Sequence, residues 1–191
     1  MSSLDGHAPL VLNVRELGRR AGAMTTVQLT CPAPVDLLNP MIAVPVDSDI
    51  ELDLMLESVI EGVLVSGTAT ALTQGACSRC LEQIAGELEV SIQELFRYRD
   101  LEQLSEEDEE LPTFDGDSIN LEPTLRDAVV LALPLAPVCR EDCLGLCPEC
   151  GARLADDPNH QHDQTDPRWA GLAEMFGQQS RDTDRGPETK G

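Results

Sequence analysis

Four cysteines fall within twelve residues in the run Cys139-Arg-Glu-Asp-Cys143-Leu-Gly-Leu-Cys147-Pro-Glu-Cys150-Gly151, and another pair stands upstream as Cys77-Ser-Arg-Cys80. A Cys-x2-Cys turn points two thiolates at one spot, which suits a tetrahedral zinc ion at roughly 2.3 Å from each sulfur. Gly151 permits the left-handed backbone that lets amides approach the second sulfur. Disulfides would need an oxidising compartment, and nothing in the chain speaks for export. A redox Cys-x-x-Cys usually opens a helix in a βαβ unit, a pattern this sequence lacks.

Beyond the cluster lies Asn159-His160-Gln161-His162, which carries two of the chain's three histidines. Residues two apart share one face of an extended segment, so both imidazoles can reach one ion. The candidate metal ligands are therefore Cys77, Cys80, Cys139, Cys143, Cys147, Cys150, His160 and His162. Eight ligands fill two closed four-ligand sites, whereas catalytic zinc normally has three protein ligands and an open position. The favoured division puts Cys77, Cys80, Cys139 and Cys143 in one site and Cys147, Cys150, His160 and His162 in the other. A competing division joins the two Cys-x2-Cys pairs around a single ion. The expected cofactor is thus structural zinc, two ions or one, which contributes on the order of 10 kcal/mol or more at neutral pH.

These side chains need a frame. From Ile50 to Phe96 the period is two: Ile50, Leu52, Leu54 and Leu56 alternate with Glu51, Asp53 and Glu57, as in a strand with one dry face. Glu61-Gly62 permits a turn, Val63 to Leu72 runs back, and a third run places Ile84, Leu88, Val90 and Ile92 inward. This predicts an antiparallel meander with one wet face, and Cys77/Cys80 sit on a hairpin tip within it. Upstream, Pro9 to Val14 and Thr25 to Cys31 read as strands, and the prolines at 32, 34, 40 and 45 mark a loop. Cys31, alone, reads as a small buried hydrophobe; Arg19-Arg20 reads as a solvated helix end or turn.

Asn120 can cap a helix entered through Glu122-Pro123, with Leu121, Leu125, Ala128, Val129 and Ala132 as its apolar stripe. Residues 166–176 predict a second, short amphipathic helix. Residues 100–117 carry nine acidic side chains and no basic one, and a run of this kind is expected to form a solvated, disordered loop. The expected fold is α+β: an antiparallel β-meander packed by one or two helices, with a C-terminal cysteine-rich zinc-binding module. The expected domains are 1–138, the sheet with its hairpin knuckle and acidic loop; 139–176, a zinc-ribbon-like module and short helix; and 177–191, a disordered tail.

Composition narrows the function. The formal net charge is −22, from 35 acidic against 13 basic residues. Phosphate backbones are bound mainly through Lys and Arg, so a basic protein is the better electrostatic match. Direct RNA contact would need a local spot such as Arg79, Arg140 and Arg153. No basic region precedes an apolar run near Met1, so no signal peptide is expected. No stretch of eighteen apolar residues predicts a membrane span, and the expected location is the cytoplasm. With no phosphate loop, no Ser/His/Asp arrangement and no open metal position, neither an enzyme nor a small-molecule substrate is expected.

The order of parts resembles the YceD family. The matching pieces are Cys77-Ser-Arg-Cys80, the segment from Leu121 to Val138, the run Cys139-x3-Cys143-Leu-Gly-Leu-Cys147-Pro-Glu-Cys150-Gly151, and Asp166-Pro-Arg-Trp-Ala-Gly-Leu172. The resemblance covers roughly residues 9–176. It implies a ribosome-biogenesis factor supporting accumulation of large-subunit (23S) rRNA, and the acidity of the chain then makes a basic ribosomal protein or the pre-ribosomal large-subunit particle the expected partner. It also implies that the His160/His162 pair replaces a Cys-x-Cys of many relatives, which preserves two metal ligands. Some members lack the second cluster, which marks that site as auxiliary.

Overall fold

The computed structural model describes residues 10–99, 112–114, 117–157 and 159–162. The chain forms two compact units, residues 1–145 and 146–191. The expected helix at 166–176, the tail 177–191 and most of the acidic segment 100–117 lie outside the described residues.

The first unit is built on a six-stranded sheet. β2 (Met24–Pro32), β4 (Asp49–Ser58), β5 (Gly62–Ala76) and β6 (Gln83–Tyr98) pair in that order, all antiparallel. The short β3 (Ile42–Ala43) also pairs antiparallel with β5, and β7 (Thr113–Phe114) closes the end of β6 in parallel register. The β5–β6 ladder runs without a break from Gly62↔Arg97 to Ala76↔Gln83. Its continuity follows from strict alternation: Val63, Val65, Ala69 and Ala71 on β5 and Val90, Ile92 and Phe96 on β6 are buried, while Glu87, Glu89, Ser91 and Gln93 are exposed. Gly75 allows β3 to approach, since a Cβ there would lie 2.4 Å from the Met41 carbonyl oxygen.

A second layer covers the dry face. β1 (Val11–Asn13) pairs antiparallel with β8 (Ser118–Asn120), and helix α1 (Glu122–Ala132) packs against β6. Leu10, Leu12, Val14, Ile119, Leu121, Leu125, Val129 and Leu133 join the inward sheet residues in one apolar core. The fold is α+β, a mostly antiparallel sheet packed by one helix among the described residues, with the cysteine-rich module following it. No described helix is long and apolar enough to cross a membrane.

Several expectations change in detail. The helix stripe follows four-residue spacing through Leu121, Leu125, Val129 and Leu133; Ala132 is exposed. Asn120 ends β8, and its Oδ1 accepts from the Glu122 N–H at 3.1 Å, while Leu121 takes the N-cap position without a side-chain cap bond. Within the acidic segment, Thr113 and Phe114 form β7, where the Phe114 ring packs 5.1 Å from that of Tyr98. Arg19 is exposed in a bend after a turn, as expected, and in addition lays its guanidinium 4.3 Å from the Tyr98 ring centroid, a cation–π contact. The first unit extends past residue 138 because Cys139 and Cys143 close onto the β5–β6 hairpin.

The buried stripe gives a stability prediction. Leu125→Ala should cost roughly 2–5 kcal/mol, because the buried side chain leaves a cavity between helix and sheet. Leu131→Ala, at an 85% exposed position of the same helix, should stay within about 0.5 kcal/mol of the parent. Denaturant midpoints of the two variants check this; equal midpoints would contradict the packing described.

Candidate metal centres

The β5–β6 hairpin ends in a knuckle. Cys77 N–H donates to the Glu82 carbonyl at 2.8 Å, and Leu81 N–H donates back to the Cys77 carbonyl at 2.9 Å. The 147–152 turn repeats both bonds: Cys147 N–H to Ala152 O at 2.8 Å and Gly151 N–H to Cys147 O at 2.9 Å. In each turn the residue after the second cysteine is left-handed, with φ of +59° at Leu81 and +73° at Gly151. Glycine adopts that conformation freely, whereas leucine there costs about 1–2 kcal/mol. The first knuckle therefore depends more heavily on its surroundings. Gly151 was readable from sequence; Leu81 was not, because nothing local marks a leucine as left-handed.

Cys139 and Cys143 reach the first knuckle from the segment after α1. The Cys77 and Cys143 sulfurs lie 3.8 Å apart, those of Cys80 and Cys139 3.7 Å apart, and all four lie within 4.8 Å of one another. Sulfurs on a tetrahedron with 2.3 Å bonds are separated by about 3.8 Å, so the spacing fits one shared cation. Arg79 ties the two strands of chain together, donating through Nη1 to the carbonyls of Glu141 at 3.2 Å and Cys143 at 3.1 Å. Gly145, at φ +80°, lets the backbone pass Arg79, whose carbonyl oxygen would lie 3.2 Å from an added Cβ. Ser78 N–H donates to the Pro137 carbonyl at 2.8 Å, a further tie to the segment after the helix.

The electrostatics point the same way. Burial pushes the Cys77 thiol up, but N–H groups of Cys139, Cys80 and Arg79 and the Cys80 thiol outweigh it and lower the pKa to about 6. Cys139 is pushed up to about 12 by burial and by the sulfurs of Cys143, Cys80 and Cys77. Burial likewise raises Cys143, although the Gly145 amide opposes it. Four sulfurs this close cannot all ionise alone, and a divalent cation among them inverts that balance.

The second cluster stands within the other unit. Cys147, Cys150, His160 and His162 bring their ligand atoms within 4.8 Å of one another. Cys150 Sγ lies 3.1 Å from His160 Nε2 and 3.2 Å from His162 Nε2, and the two Nε2 atoms are 2.8 Å apart. Each Nδ1 faces a carboxylate, His160 toward Asp157 at 3.8 Å and His162 toward Glu149 at 3.5 Å. In metal sites a carboxylate on the Nδ1 side orients the ring so that Nε2 meets the ion, and both carboxylates here stand on that side. Both Nε2 atoms and the Cys150 sulfur thus face one another closely enough to share an ion. The amides of Cys150 and Glu149 lower the Cys147 thiol pKa, as the equivalent amides do for Cys77.

All eight residues singled out by sequence are thus gathered into two groups that could each hold a metal ion, and the division is the four-and-four one. Each Cys-x2-Cys turn has its own partners, Cys139 and Cys143 for the first and His160 and His162 for the second. Cys31, the seventh cysteine, is buried, and burial followed by the Asp49 charge raises its thiol pKa. What sequence reasoning missed is the supporting shell of Arg79, Glu149, Asp157 and Leu81. The carboxylates at i−3 of His160 and beside Cys150 were the available signal.

Arg79 offers a test of how the first cluster is held. Arg79→Ala removes both donors to the Glu141 and Cys143 carbonyls, so amide exchange across 141–145 should accelerate by about tenfold. Unchanged exchange there would mean that the sulfurs alone fix the segment.

The family model described as "Large ribosomal RNA subunit accumulation protein YceD" matches residues 65–176. The chain is also 47% identical over 181 residues to an uncharacterized protein of Mycobacterium tuberculosis (strain ATCC 25618 / H37Rv), covering 94% of this chain and 86% of the relative. An uncharacterized protein of Mycobacterium leprae (strain TN) is 42% identical over 171 residues, covering 88% and 78% respectively. No solved structure matches. The match takes in the hairpin knuckle, the helix and both cysteine clusters, and the chain belongs to the YceD family of large ribosomal RNA subunit accumulation proteins.

Proposed function

We propose that this protein is a non-enzymatic ribosome-biogenesis factor that supports 23S rRNA accumulation by binding a basic ribosomal protein or the pre-ribosomal large-subunit particle in the cytoplasm. The observation that carries the reading is the pair of complete four-donor groups. Cys77, Cys80, Cys139 and Cys143 would hold one zinc ion; Cys147, Cys150, His160 and His162 would hold another. Thiolate and imidazole sets of this kind select zinc, and a full tetrahedron has no place for a reacting water. The metal then supplies rigidity at the hairpin tip and in the second unit. The family description names accumulation of an RNA, with no reaction attached.

The charge of −22 favours a Lys/Arg-rich protein over free RNA as the direct contact. The alternative, direct binding of precursor rRNA through Arg79, Arg140 and Arg153, loses support from the contacts within the first unit. Arg79 is engaged by two carbonyls, and Arg140 Nε lies 3.4 Å from Asp142.

Native mass spectrometry should find two zinc ions per chain. Cys77→Ser and Cys150→Ser should each lose about one, and chelation should lower the thermal midpoint because binding energy here is folding energy. One ion in the parent, or none, would contradict the assignment. Affinity capture with the zinc-loaded chain should recover a Lys/Arg-rich large-subunit protein, released as salt rises. Capture of naked precursor rRNA alone would favour the alternative.

A further inference from the structure

Among the described residues, the strand β6 has one edge left without a partner strand over most of its length. Its even-numbered residues turn their backbone polar groups toward β5, and its odd-numbered ones turn away, as the Arg97 N–H shows by donating to the Pro112 carbonyl at 2.9 Å on the β7 side. β7 covers only Arg97 and Tyr98. Among the described residues, no backbone partner meets the outward groups of Gln83, Ala85, Glu87, Glu89, Ser91 and Gln93. The Leu95 N–H is satisfied locally by Glu94 Oε1 at 3.3 Å. An uncovered edge of this length is a template for another strand.

Two features say what kind of strand. Beside the first half of this edge lies a groove of about 790 Å³, lined by the apolar Ile42, Ile84, Leu88, Pro134, Pro137 and Val138 together with the polar Thr73, Glu82, Glu87 and Arg140. Its far wall is the segment after α1, where Leu135 is 85% exposed. On the opposite face of the sheet, Glu89 is exposed on β6 and Glu51 and Asp53 on β4, and the exposed Glu87 also borders the groove. A guest strand has side chains alternating between these two faces.

We propose that the outer edge of β6, over residues 83–95, accepts an extended segment of a basic protein as an added strand, with apolar side chains entering the groove and Lys/Arg side chains lying over Glu87 and Glu89. Main-chain hydrogen bonds supply affinity and the alternating side chains supply selectivity. Charge complementarity names the occupant. The chain's own residues 100–111 hold seven acidic and no basic side chains, and a second copy brings the same net charge of −22. Both meet like charge at this edge. The inference rests on the reading of the protein as a partner of a basic ribosomal protein and specifies where that partner is held.

The probe is a short synthetic peptide alternating valine and lysine, titrated into the full-length, zinc-loaded chain and followed by anisotropy. Ser91→Pro removes an outward N–H that no internal bond uses, and proline is tolerated on edges of this kind. It should weaken the peptide by about tenfold, while Ser91→Ala leaves the Kd unchanged and both keep the parent's thermal midpoint. Glu87→Lys with Glu89→Lys should weaken the peptide and flatten its salt dependence. If Ser91→Pro fails to fold, amide exchange in the parent decides: Glu87, Glu89, Ser91 and Gln93 should slow when the peptide binds. Equal affinity for Ser91→Pro, equal binding of an alternating valine/glutamate peptide, no binding by the parent, or protection of these amides by precursor rRNA instead would each overturn the inference. Ribosomal-protein capture that survives in Ser91→Pro leaves the proposed function standing and removes the edge. Peptide protection of the edge without any ribosomal-protein capture does the reverse.

Discussion

Four sulfurs from two distant stretches meet at one point. Cys77 and Cys143 are 66 residues apart in sequence and Cys80 and Cys139 are 59 apart, yet the sulfurs of each pair approach to tetrahedral-edge distance. Most of the first unit hangs from that closure. It brings together the hairpin tip of β5 and β6, the left-handed Leu81 and the segment after α1, and an ion bridging them would restrict the unfolded chain as a crosslink over a loop of this length does, by on the order of 4 kcal/mol. The sheet makes the closure possible because fifteen uninterrupted β5–β6 pairs deliver Cys77 and Cys80 to a fixed place. Leu121, Leu125, Val129 and Leu133 do the same for the other side by pinning α1.

The second cluster uses the same turn with different support. Its knuckle stands on the isolated Leu146↔Arg153 bridge in place of a long ladder, and its outer ligands come from a nearby His-x-His held by two carboxylates. Gly151 removes the backbone strain that the first knuckle carries at Leu81. A local site with a relaxed turn needs little from elsewhere, whereas a strained turn on a long hairpin needs partners brought in from afar.

Much of this was legible in the residues. Alternation from Ile50 to Ile92 gave the three long strands, and the cysteine and histidine spacing gave all eight ligand candidates. The grouping of those candidates stayed open because a Cys-x2-Cys turn looks the same whichever partner it faces; tertiary placement of Cys139 and Cys143 decides it. Short strands escaped for a related reason. β3, β7 and β8 hold two or three residues each, too few for a period, and they form only because a long-range partner is waiting. Ala132 was counted in the helix stripe because alanine is compatible with either face; the four-residue spacing continued to Leu133 instead. Arg19 is exposed as its surroundings in sequence suggest, but nothing local reveals that Tyr98 will arrive beside it.

The parallel pairing of β7 with the end of β6 has a geometric corollary. Arg97 bonds to Pro112 and Arg99 to Phe114 through their backbones, so the polypeptide departs from the sheet and returns at adjoining points. Closure across such a gap depends only weakly on how many residues it contains, doubling the length costing about 0.6 kcal/mol. The number and type of residues between Arg99 and Pro112 can thus change over generations at little cost to the packed core of the sheet. Here natural variation is free to tune charge without renegotiating the architecture.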